Sequence, residues 1–214
     1  MLQTQTVERK TFELLKQLMQ DKFLSNFLLA GGTSLALQLG HRNSIDLDMF
    51  SYQEFDSHLL ENYLLENYNF ESHRIFEKNT VLGHIDGIKV DFVAHLYPLL
   101  NQPLEEDDIR MYSLIDLACM KLVAISDNGS RLKDFVDIAF LSTKMSLNEM
   151  LFAYSKKYSR PNYFHAAKGL SYFDDIDFEV EINLINKVFD WKKIEKRIKE
   201  MIKFENKIFD NYPI

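Results

Sequence analysis

Two aspartates alternate with apolar residues in the segment "SIDLDMFS" (residues 44–51), and this alternation constrains the fold more than any other feature. In an extended strand successive side chains point to opposite faces, so Asp46 and Asp48 would share one face. The opposite face would be buried and consist of Ile45, Leu47 and Met49. Because two ionised carboxylates this close raise each other's pKa unless a cation lies between them, the pattern favours a site for a hard divalent cation such as Mg²⁺.

A third carboxylate, Asp91, lies in the apolar segment "GIKVDFVAH" (residues 87–95), where Lys89 would share its face. The preceding Asp86 and Gly87 are typical of a two-residue hairpin turn. If the Asp91 strand lies beside the first acidic strand, three carboxylates converge. Such a set can bind the two metal ions that serve in-line phosphoryl or nucleotidyl transfer.

Two glycines and two hydroxyl residues come before these strands, in the segment "AGGTSLALQLG" (residues 30–40). Glycines before a helix let the backbone approach an anion, and the free N–H groups and the helix dipole favour phosphate. A Gly-Gly turn alone is more often an ordinary helix start, but its position before paired carboxylates favours phosphate binding. The candidate phosphate-binding residues are Gly31, Gly32, Thr33 and Ser34.

The remaining pattern predicts strands before residue 100 and helices after it. A short strand approach is expected in residues 23–30, and four strands in residues 44–51, 69–78, 79–86 and 88–96. Helices are predicted over residues 4–21, 33–40, 55–67, 113–126, 131–143, 147–158, 161–170 and 181–206, with Pro161 in a first helical turn. We expect an α+β fold: a mixed, mainly antiparallel sheet with flanking helices in residues 1–100, and a helical domain in residues 101–214 that completes a cleft.

Charge and composition limit the function classes. The net charge of −7 on 214 residues argues against non-specific coating of nucleic acid, which needs many Lys and Arg contacts to phosphates. The lysine-rich segment of residues 191–207 is interpreted as a helix with a solvated basic face, although a local RNA-binding surface remains an alternative. The single cysteine, Cys119, lies in an apolar run and is typical of a reducing compartment. With neither a signal peptide nor a membrane-spanning run in the sequence, we expect a cytoplasmic protein without a membrane partner.

The ordered set of motifs resembles a known family. The segment "GGTSLALQLGHRNSIDLDMF" (residues 31–50) is similar to the first motif of the AbiEii/AbiGii toxin group of nucleotidyltransferases, within the DNA polymerase beta-like superfamily. "IKVDF" resembles the strand that carries the third carboxylate of that superfamily. The later segments "CMKLVAI" and "SRLKDFVDIAFL" are similar to later family motifs and contain Lys121, Arg131, Lys133, Asp134 and Asp137. The resemblance covers roughly residues 25–142.

This resemblance implies roles for individual residues. Asp91 would bind the catalytic metal and assist deprotonation of the acceptor hydroxyl, and the metal ligands together would be Asp46, Asp48 and Asp91. Lys121 would lie near the nucleotide phosphates, and Asp134 would be the acidic residue of the last motif. The β- and γ-phosphates would be held by Gly32, Thr33 and Ser34. The implied cofactor is Mg²⁺ or Mn²⁺, with an NTP as substrate.

Several of these side chains also have simpler interpretations. Lys121 lies in an otherwise apolar helix, so it either reaches the surface along its aliphatic stem or points into a cleft toward an anion. Asp134 and Asp137 share a helix face with Arg131, which is also the pattern of an ordinary salt-bridged surface.

Arg42 precedes the first acidic strand and would pair with Asp46 or Asp48, or contact the leaving pyrophosphate. The histidines show no metal-ligand spacing and are not assigned as ligands.

The sequence thus predicts a nucleotidyltransferase that moves NMP from an NTP to a hydroxyl and releases pyrophosphate. The resemblance implies a toxin of a toxin–antitoxin or phage-defence system, with an acceptor such as a tRNA 3′ end and a cognate antitoxin as partner. Two alternatives remain open. The acceptor would be a small molecule or a protein, or the chain would be a nucleotide-binding regulatory protein without catalysis.

Overall fold

A central sheet organises the computed structural model, which describes residues 1–73, 77–159 and 163–214. Its strands are β1 Phe27–Leu29, β2 Leu47–Ser51, β3 Phe70–Ser72, β4 Thr80–Ile85, β5 Ile88–Ala94, β6 Leu104–Glu106 and β7 Ile109–Met111. Their spatial order is β3-β4-β5-β2-β1-β7-β6. The β2–β5 and β1–β7 pairs are parallel, and the other neighbouring pairs are antiparallel. The predicted α+β fold with a mixed, mainly antiparallel sheet is confirmed.

The helices of the described residues flank this sheet. They are α1 Arg9–Gln20, α2 Gly31–Leu39, α3 Ser57–Asn67, α4 Leu114–Asp127, α5 Leu132–Leu141, α6 Leu147–Lys157, α7 Phe164–Gly169 and α8 Trp191–Lys203. Polar caps fix several helix starts: the Asp56 side chain accepts from two backbone N–H groups of α3, and Ser146 and Glu149 form a capping box at α6. These caps explain why the predicted bounds of α3 and α6 hold within two residues.

The β4–β5 hairpin forms at the predicted turn. Asp86 and Gly87 have φ values of 51° and 77°, the left-handed conformations that a two-residue hairpin of this kind requires. The register runs from Ile85 opposite Ile88 to Thr80 opposite Val93. This hairpin is confirmed.

The sheet contains more strands than the four that the sequence predicts. Strands β6 and β7 form a second hairpin, whose turn residues Asp107 and Asp108 have φ values of 52° and 64°. Two adjacent non-glycine residues with positive φ are uncommon, and the sequence analysis predicted no strand in this acidic stretch. Because β7 pairs with β1, the sheet extends past residue 100. The division into domains at that residue stays a prediction.

Several predicted helix bounds are wrong. The first helix begins at Arg9, after a short 3₁₀ turn at Thr4–Thr6, and α2 includes both glycines at its start. Of the predicted helix over residues 181–206, the part that is helical is α8, from Trp191 to Lys203. In the structure residues 183–185 instead pair with residues 41–43.

Parts of one predicted helix and one predicted strand lie outside the residues that the structure describes. The helix predicted over residues 161–170 appears as α7, and Pro161 lies outside the described residues. The predicted strand over residues 69–78 is represented by β3, and residues 74–76 likewise lie outside the described residues.

Two hydrophobic clusters cover opposite faces of the sheet. One joins α1 and α3 to one face of β2 and β5, including Leu47, Met49, Val90 and Phe92. The other joins α2 and helices α4 to α6 to the opposite face at β1, including Leu28 and Ala30. The β2–β5 part of that second face carries Asp48 and Asp91 and is half-buried. The fold therefore leaves a partly open shelf beside the helices. In the part of the chain that the structure describes, no helix is long and apolar enough to cross a membrane.

Candidate active site

The acidic edge, defined as Asp46, Asp48 and Asp91, lies where β2 and β5 run side by side. These strands pair in parallel with Asp48 opposite Asp91, so the two carboxylates lie on the same face of adjacent strands. Asp46 lies immediately before β2 and lines the same cleft as Asp48. The predicted adjacency of the two acidic strands is present. The buried face differs from the prediction at Ile45, whose side chain is 58% exposed because the strand begins only at Leu47.

Gly31 sets the position of Asp48. Its φ is +62°, and a Cβ atom at this residue would lie only 1.7 Å from Oδ2 of Asp48. The Ala30 N–H donates to the Asp48 carbonyl oxygen at 2.8 Å, so β2 is tied to the start of α2. Ala30 is the N-cap of this helix and supplies no side-chain acceptor. The first N–H groups of α2 therefore lie close to the acidic edge without a side-chain cap.

The hydroxyls of Thr33 and Ser34 are engaged inside the protein. Thr33 donates to the Asp46 carbonyl oxygen and lies 2.8 Å from Oγ of Ser44, while Ser34 accepts from Gln38 at 3.1 Å. Both side chains are fully buried. These contacts occupy both hydroxyls in this structure, and the assignment of Thr33 and Ser34 to phosphate binding stays a prediction. Their observed role is to hold the loop before β2 against α2.

Gly32 belongs to the cleft itself. A Cβ atom here would lie 2.4 Å from Nη2 of Arg42 and 3.3 Å from Oγ of Ser44. A side chain would thus collide with the groups that form the cleft wall. The backbone of Gly32 is the part of the predicted phosphate motif that lines the cleft.

Behind the acidic edge lies the buried ion network, formed by His41, Arg42, Lys121, Asp134 and Asp137. Asp137 accepts from Nε and Nη2 of Arg42 at 2.7 and 2.9 Å, and its Oδ1 lies 2.8 Å from Nε2 of His41. Nζ of Lys121 lies 2.6 Å from Asp134 and 2.8 Å from Asp137. All five side chains are buried.

This network corrects two predictions. Arg42 pairs with Asp137, so the predicted pairing with Asp46 or Asp48 is wrong. Asp134 and Asp137 are 1% and 0% exposed, so the salt-bridged surface interpretation is wrong as well. Arg131 does lie 3.6 Å from Asp134, as the helix spacing suggests. The other partners, Lys121, Arg42 and His41, are more distant in the sequence, and helix spacing alone could not reveal them.

Electrostatics differ between the two groups. Burial raises the pKa of the Asp48 carboxyl; Lys121 opposes this shift, and the carboxylates of Asp91 and Asp46 add to it. Burial also works to raise the pKa of Asp137, but Arg42 and Lys121 outweigh it and hold that pKa well below its usual range. Among the described residues, Asp91 is the carboxylate of the acidic edge that is paired with a cation, at Lys89, whereas both carboxylates of the network are paired with buried cations.

The cleft beside the acidic edge has a volume of about 300 Å³. Lys121 closes its inner end, and Arg131 and Lys133 line it from the start of α5. Residues 180–183 form another wall, held by Asn43 N–H donating to the Asn183 carbonyl oxygen at 2.8 Å. Sequence reasoning missed this wall because it assigned the segment to a helix.

Sequence reasoning also assigned no role to Lys89, although it placed this residue on the face of Asp91. Nζ of Lys89 lies 2.8 Å from Oδ2 of Asp91, and the hydrogen bond to Asp91 raises the pKa of the lysine. The period-two spacing of the two residues was the available signal.

The acidic edge fits a hard divalent cation by its donor chemistry. Its side-chain donors are all carboxylate oxygens, which Mg²⁺ and Mn²⁺ prefer. Oδ1 of Asp91 is buried and has no hydrogen-bond partner among the described residues, which marks it as an available donor. Within the same residues, however, no three acidic, histidine or cysteine side chains are already gathered as a metal cluster. The pair Asp48 and Asp91 is the part that the fold brings together.

Comparison with known proteins finds a matching family and a related sequence. The family model described as nucleotidyl transferase AbiEii toxin, type IV TA system, matches residues 13–178. An uncharacterized protein of Aquifex aeolicus is 32% identical over 204 residues, which cover 92% of this chain and 96% of that protein.

Two solved structures from Helicobacter pylori share the fold. One, of a protein proposed to be a nucleotidyltransferase, has a TM-score of 0.56 at 16% identity and covers 92% of this chain and 95% of that one. The other, JHP933, has a TM-score of 0.54 at 17% identity and covers 92% of each chain. At these identities the likeness concerns the fold alone.

Proposed function

The chain belongs to the AbiEii nucleotidyltransferase toxin family, and from this premise we propose that it transfers NMP from an NTP to a hydroxyl group of RNA, using Mg²⁺ or Mn²⁺. The observation that carries the proposal is the parallel pairing of Asp48 with Asp91. It places two carboxylates side by side next to the uncapped start of α2. Carboxylates beside a helix N-terminus suit a substrate that consists of a cation and a polyphosphate.

The reaction forms one P–O bond and breaks another. The acceptor hydroxyl attacks the α-phosphorus, the bond to the β-phosphate oxygen breaks, and pyrophosphate leaves. We assign Asp91 to assist removal of the hydroxyl proton. Asp46, Asp48 and Asp91 would hold the metal, which supplies charge neutralisation at the phosphates when bound.

Phosphate binding is assigned to the cleft. The N–H groups of the first turn of α2, from Gly31 to Thr33, would bind the β- and γ-phosphates in the field of the helix dipole. Lys121 would offset phosphate charge from the inner end of the cleft, and Arg131 and Lys133 from its outer wall. Arg42, fixed on Asp137, would position the wall at Gly32. Asp134 would hold Lys121 in place.

The family also supports a proposal for the biological role. We propose that the chain is the toxin of a toxin–antitoxin pair, as the type IV description of its family implies, and that a cognate antitoxin is its partner. An RNA 3′ end, such as that of tRNA, is the proposed acceptor. Phage defence is the proposed setting in which such a toxin acts.

A label-transfer assay tests the activity. The protein is incubated with each common NTP labelled at the α-phosphate, with Mg²⁺ or Mn²⁺, and with total cellular RNA. We expect label on an RNA 3′ end with the wild type and none with Asp46→Ala/Asp48→Ala. The matched control is Asp210→Asn, an exposed carboxylate, which should retain transfer. Transfer that persists in the double variant would contradict the metal-site assignment.

The same assay separates the two alternatives. Label that appears on a protein or a small molecule and does not change when RNA is omitted would identify another acceptor. If the wild type binds NTP in a metal-dependent way but transfers no label to any acceptor, the regulatory alternative without catalysis is favoured instead.

A further inference from the structure

We propose that Lys89, His84 and His73 form a binding row for the sugar–phosphate backbone at the 3′ end of the RNA acceptor. This inference rests on the proposed function and adds to it the place where the acceptor lies. The row, called here the acceptor row, crosses the sheet from β5 over β4 to the end of β3. It begins directly beside Asp91, to which the lysine is bonded.

The sheet register places these side chains in one line. Lys89 lies directly opposite His84 on the antiparallel β4, so their side chains share a face, and Asp91 lies on that same face two residues further along. Nε2 of His73 lies 3.0 Å from Nδ1 of His84. With neighbouring strands about 4.8 Å apart, the row extends roughly 10 Å from the acidic edge. It ends at the exposed Glu71, opposite His84 on β3.

The order of the strands decides which substrate this row contacts. Strand β2 with Asp48 has β1 and the start of α2 on one side, and β5, β4 and β3 on the other. The cleft assigned to the NTP phosphates lies on the α2 side. In an in-line displacement the attacking oxygen and the leaving pyrophosphate lie on opposite sides of the phosphorus. The acceptor hydroxyl must therefore approach from the side of β5 and β4, where the acceptor row lies.

The exposure and chemistry of the row fit a phosphodiester. The Lys89 side chain is 43% exposed, so its ammonium can turn from Asp91 toward a phosphate on a flexible stem. His84 is half-buried and His73 is exposed. Histidine nitrogens donate to phosphate or hydroxyl oxygens, and their rings can contact a base or ribose.

Helix α8 is the competing location for RNA. Its lysines Lys192, Lys196, Lys199 and Lys203 follow one helix face and line a shallow groove. Two of them are paired with acidic neighbours on the same helix, Lys196 with Glu200 and Lys199 with Glu195. This groove lies apart from the acidic edge, since none of its residues lines the cleft.

Steady-state kinetics with the RNA oligonucleotide labelled in the first assay test the proposal. We expect Lys89→Ala to raise the KM for RNA about tenfold, as for loss of one charged hydrogen bond, and to change the KM for the NTP less than about twofold. His84→Asn should raise the KM for RNA by a smaller factor. Lys89→Arg should restore most of the RNA affinity because it keeps the charge.

The matched control is Lys78→Ala. Lys78 is an exposed lysine that also pairs with a carboxylate, Glu54, at 2.9 Å, but it lies outside the acceptor row. Both KM values should stay at the wild-type level. Neutralising Lys196 and Lys199 together should likewise leave the KM for RNA unchanged.

A chemically altered acceptor separates a direct contact from an effect through Asp91. An oligonucleotide with an uncharged methylphosphonate at its last linkage should raise the wild-type KM by about the same factor as Lys89→Ala. In the Lys89→Ala variant, the KM for this oligonucleotide should be no higher than the KM for the unmodified one. The logarithmic salt dependence of RNA affinity should also lose about 0.7 in slope in this variant.

Three outcomes would overturn the proposal. In the first, Lys89→Ala and the methylphosphonate linkage together raise the KM for RNA by the product of their separate factors. In the second, Lys89→Ala raises the KM for the NTP as much as the KM for RNA. In the third, RNA affinity falls in the Lys196 and Lys199 variant of α8 and not in Lys89→Ala. If the wild type transfers no label at all, the proposed function fails by itself. The acceptor row is then judged by binding of a short fluorescent single-stranded RNA without NTP, and equal affinities of wild type and Lys89→Ala would reject it.

Discussion

The acidic edge and the buried ion network are built from the same kinds of side chain, yet they are electrostatically opposite. In the network two cations face two carboxylates, and burial lowers the pKa of His41, which keeps it neutral. At the acidic edge Lys89 pairs with Asp91, Asp48 has no such partner among the described residues, and the pKa of Asp48 is raised. The comparison indicates that the network supports the fold, whereas the acidic edge keeps carboxylates close together without a matching number of cations, which is the arrangement on which the proposed metal site depends.

The largest effect should come from removing one charge at the acidic edge. We expect Asp48→Asn to lower label transfer about 10³-fold or more, since a metal site supplies several kcal/mol of transition-state stabilisation. Stability should be unchanged or slightly higher, because burial already disfavours the charged carboxylate. Transfer kinetics and urea denaturation measure the two quantities. A large stability loss would place Asp48 with the network instead.

The converse change is Asp137→Asn. It leaves Arg42 and Lys121 with only Asp134 in a buried site, and breaking a buried ion pair typically costs about 3–5 kcal/mol. We expect a free energy of unfolding lower by about 3 kcal/mol, measured by urea denaturation beside Asp210→Asn. If Asp137→Asn keeps the free energy of unfolding of the wild type, the buried ion network does not stabilise the fold as proposed.

Gly31 links the two regions, and its substitution should reduce activity more than its strain alone explains. Gly31→Ala places a methyl group against Oδ2 of Asp48, and displacing a reacting group by about 1 Å can cost about 100-fold in rate. Gly87→Ala is the matched control, since Gly87 also has positive φ but a Cβ atom there meets nothing within 4 Å. Both variants should lose about 1–3 kcal/mol of stability. Equal activities would reject the contact with Asp48 as functional.

Acid should remove the contribution of the network. The folded pKa of Asp137 is depressed, so its stabilisation is complete above the unfolded pKa of about 3.9 and is lost as the pH falls through the folded value. The stability difference between wild type and Asp137→Asn should stay constant from about pH 7 to pH 5. Below about pH 4 it should narrow, by at most about 1.4 kcal/mol per pH unit. A difference that narrows already near neutral pH would contradict this assignment.

The smallest expected effect is stabilisation by the cation alone. At about five times its Kd, Mg²⁺ should stabilise the wild type by about 1 kcal/mol. The same stabilisation is expected in Asp210→Asn and none in Asp48→Asn, with thermal denaturation as the measurement. A shift that persists in Asp48→Asn would show that the cation binds elsewhere.

Local patterns in the sequence predicted the acidic edge well. The alternation around Asp48, the similar pattern around Asp91 and the Asp86-Gly87 turn each involve neighbours in sequence, and the structure reproduces the strands that they imply. The side-chain alternation along a strand was enough to predict that Asp46 and Asp48 lie on one face. The assignment of catalytic and metal-binding roles to these residues stays a prediction.

The network and the cleft wall could not be predicted in the same way. Asp137 contacts Arg42 across 95 positions of sequence, and residues 183–185 pair with residues 41–43, about 140 positions away. Apolar spacing in that segment suggested a helix, but tertiary pairing won over local propensity. The buried hydroxyls of Thr33 and Ser34 illustrate the same limit, since a motif does not reveal which side of its backbone faces the substrate.

The pairing of residues 183–185 with residues 41–43 also has a consequence during synthesis. The carboxylates of the acidic edge emerge early from the ribosome, while the wall formed by residues 180–183 emerges late. Domains generally begin to fold as the chain is made, at about 5–20 residues per second. A nascent chain therefore carries its acidic edge for several seconds before the wall of its cleft has been synthesised.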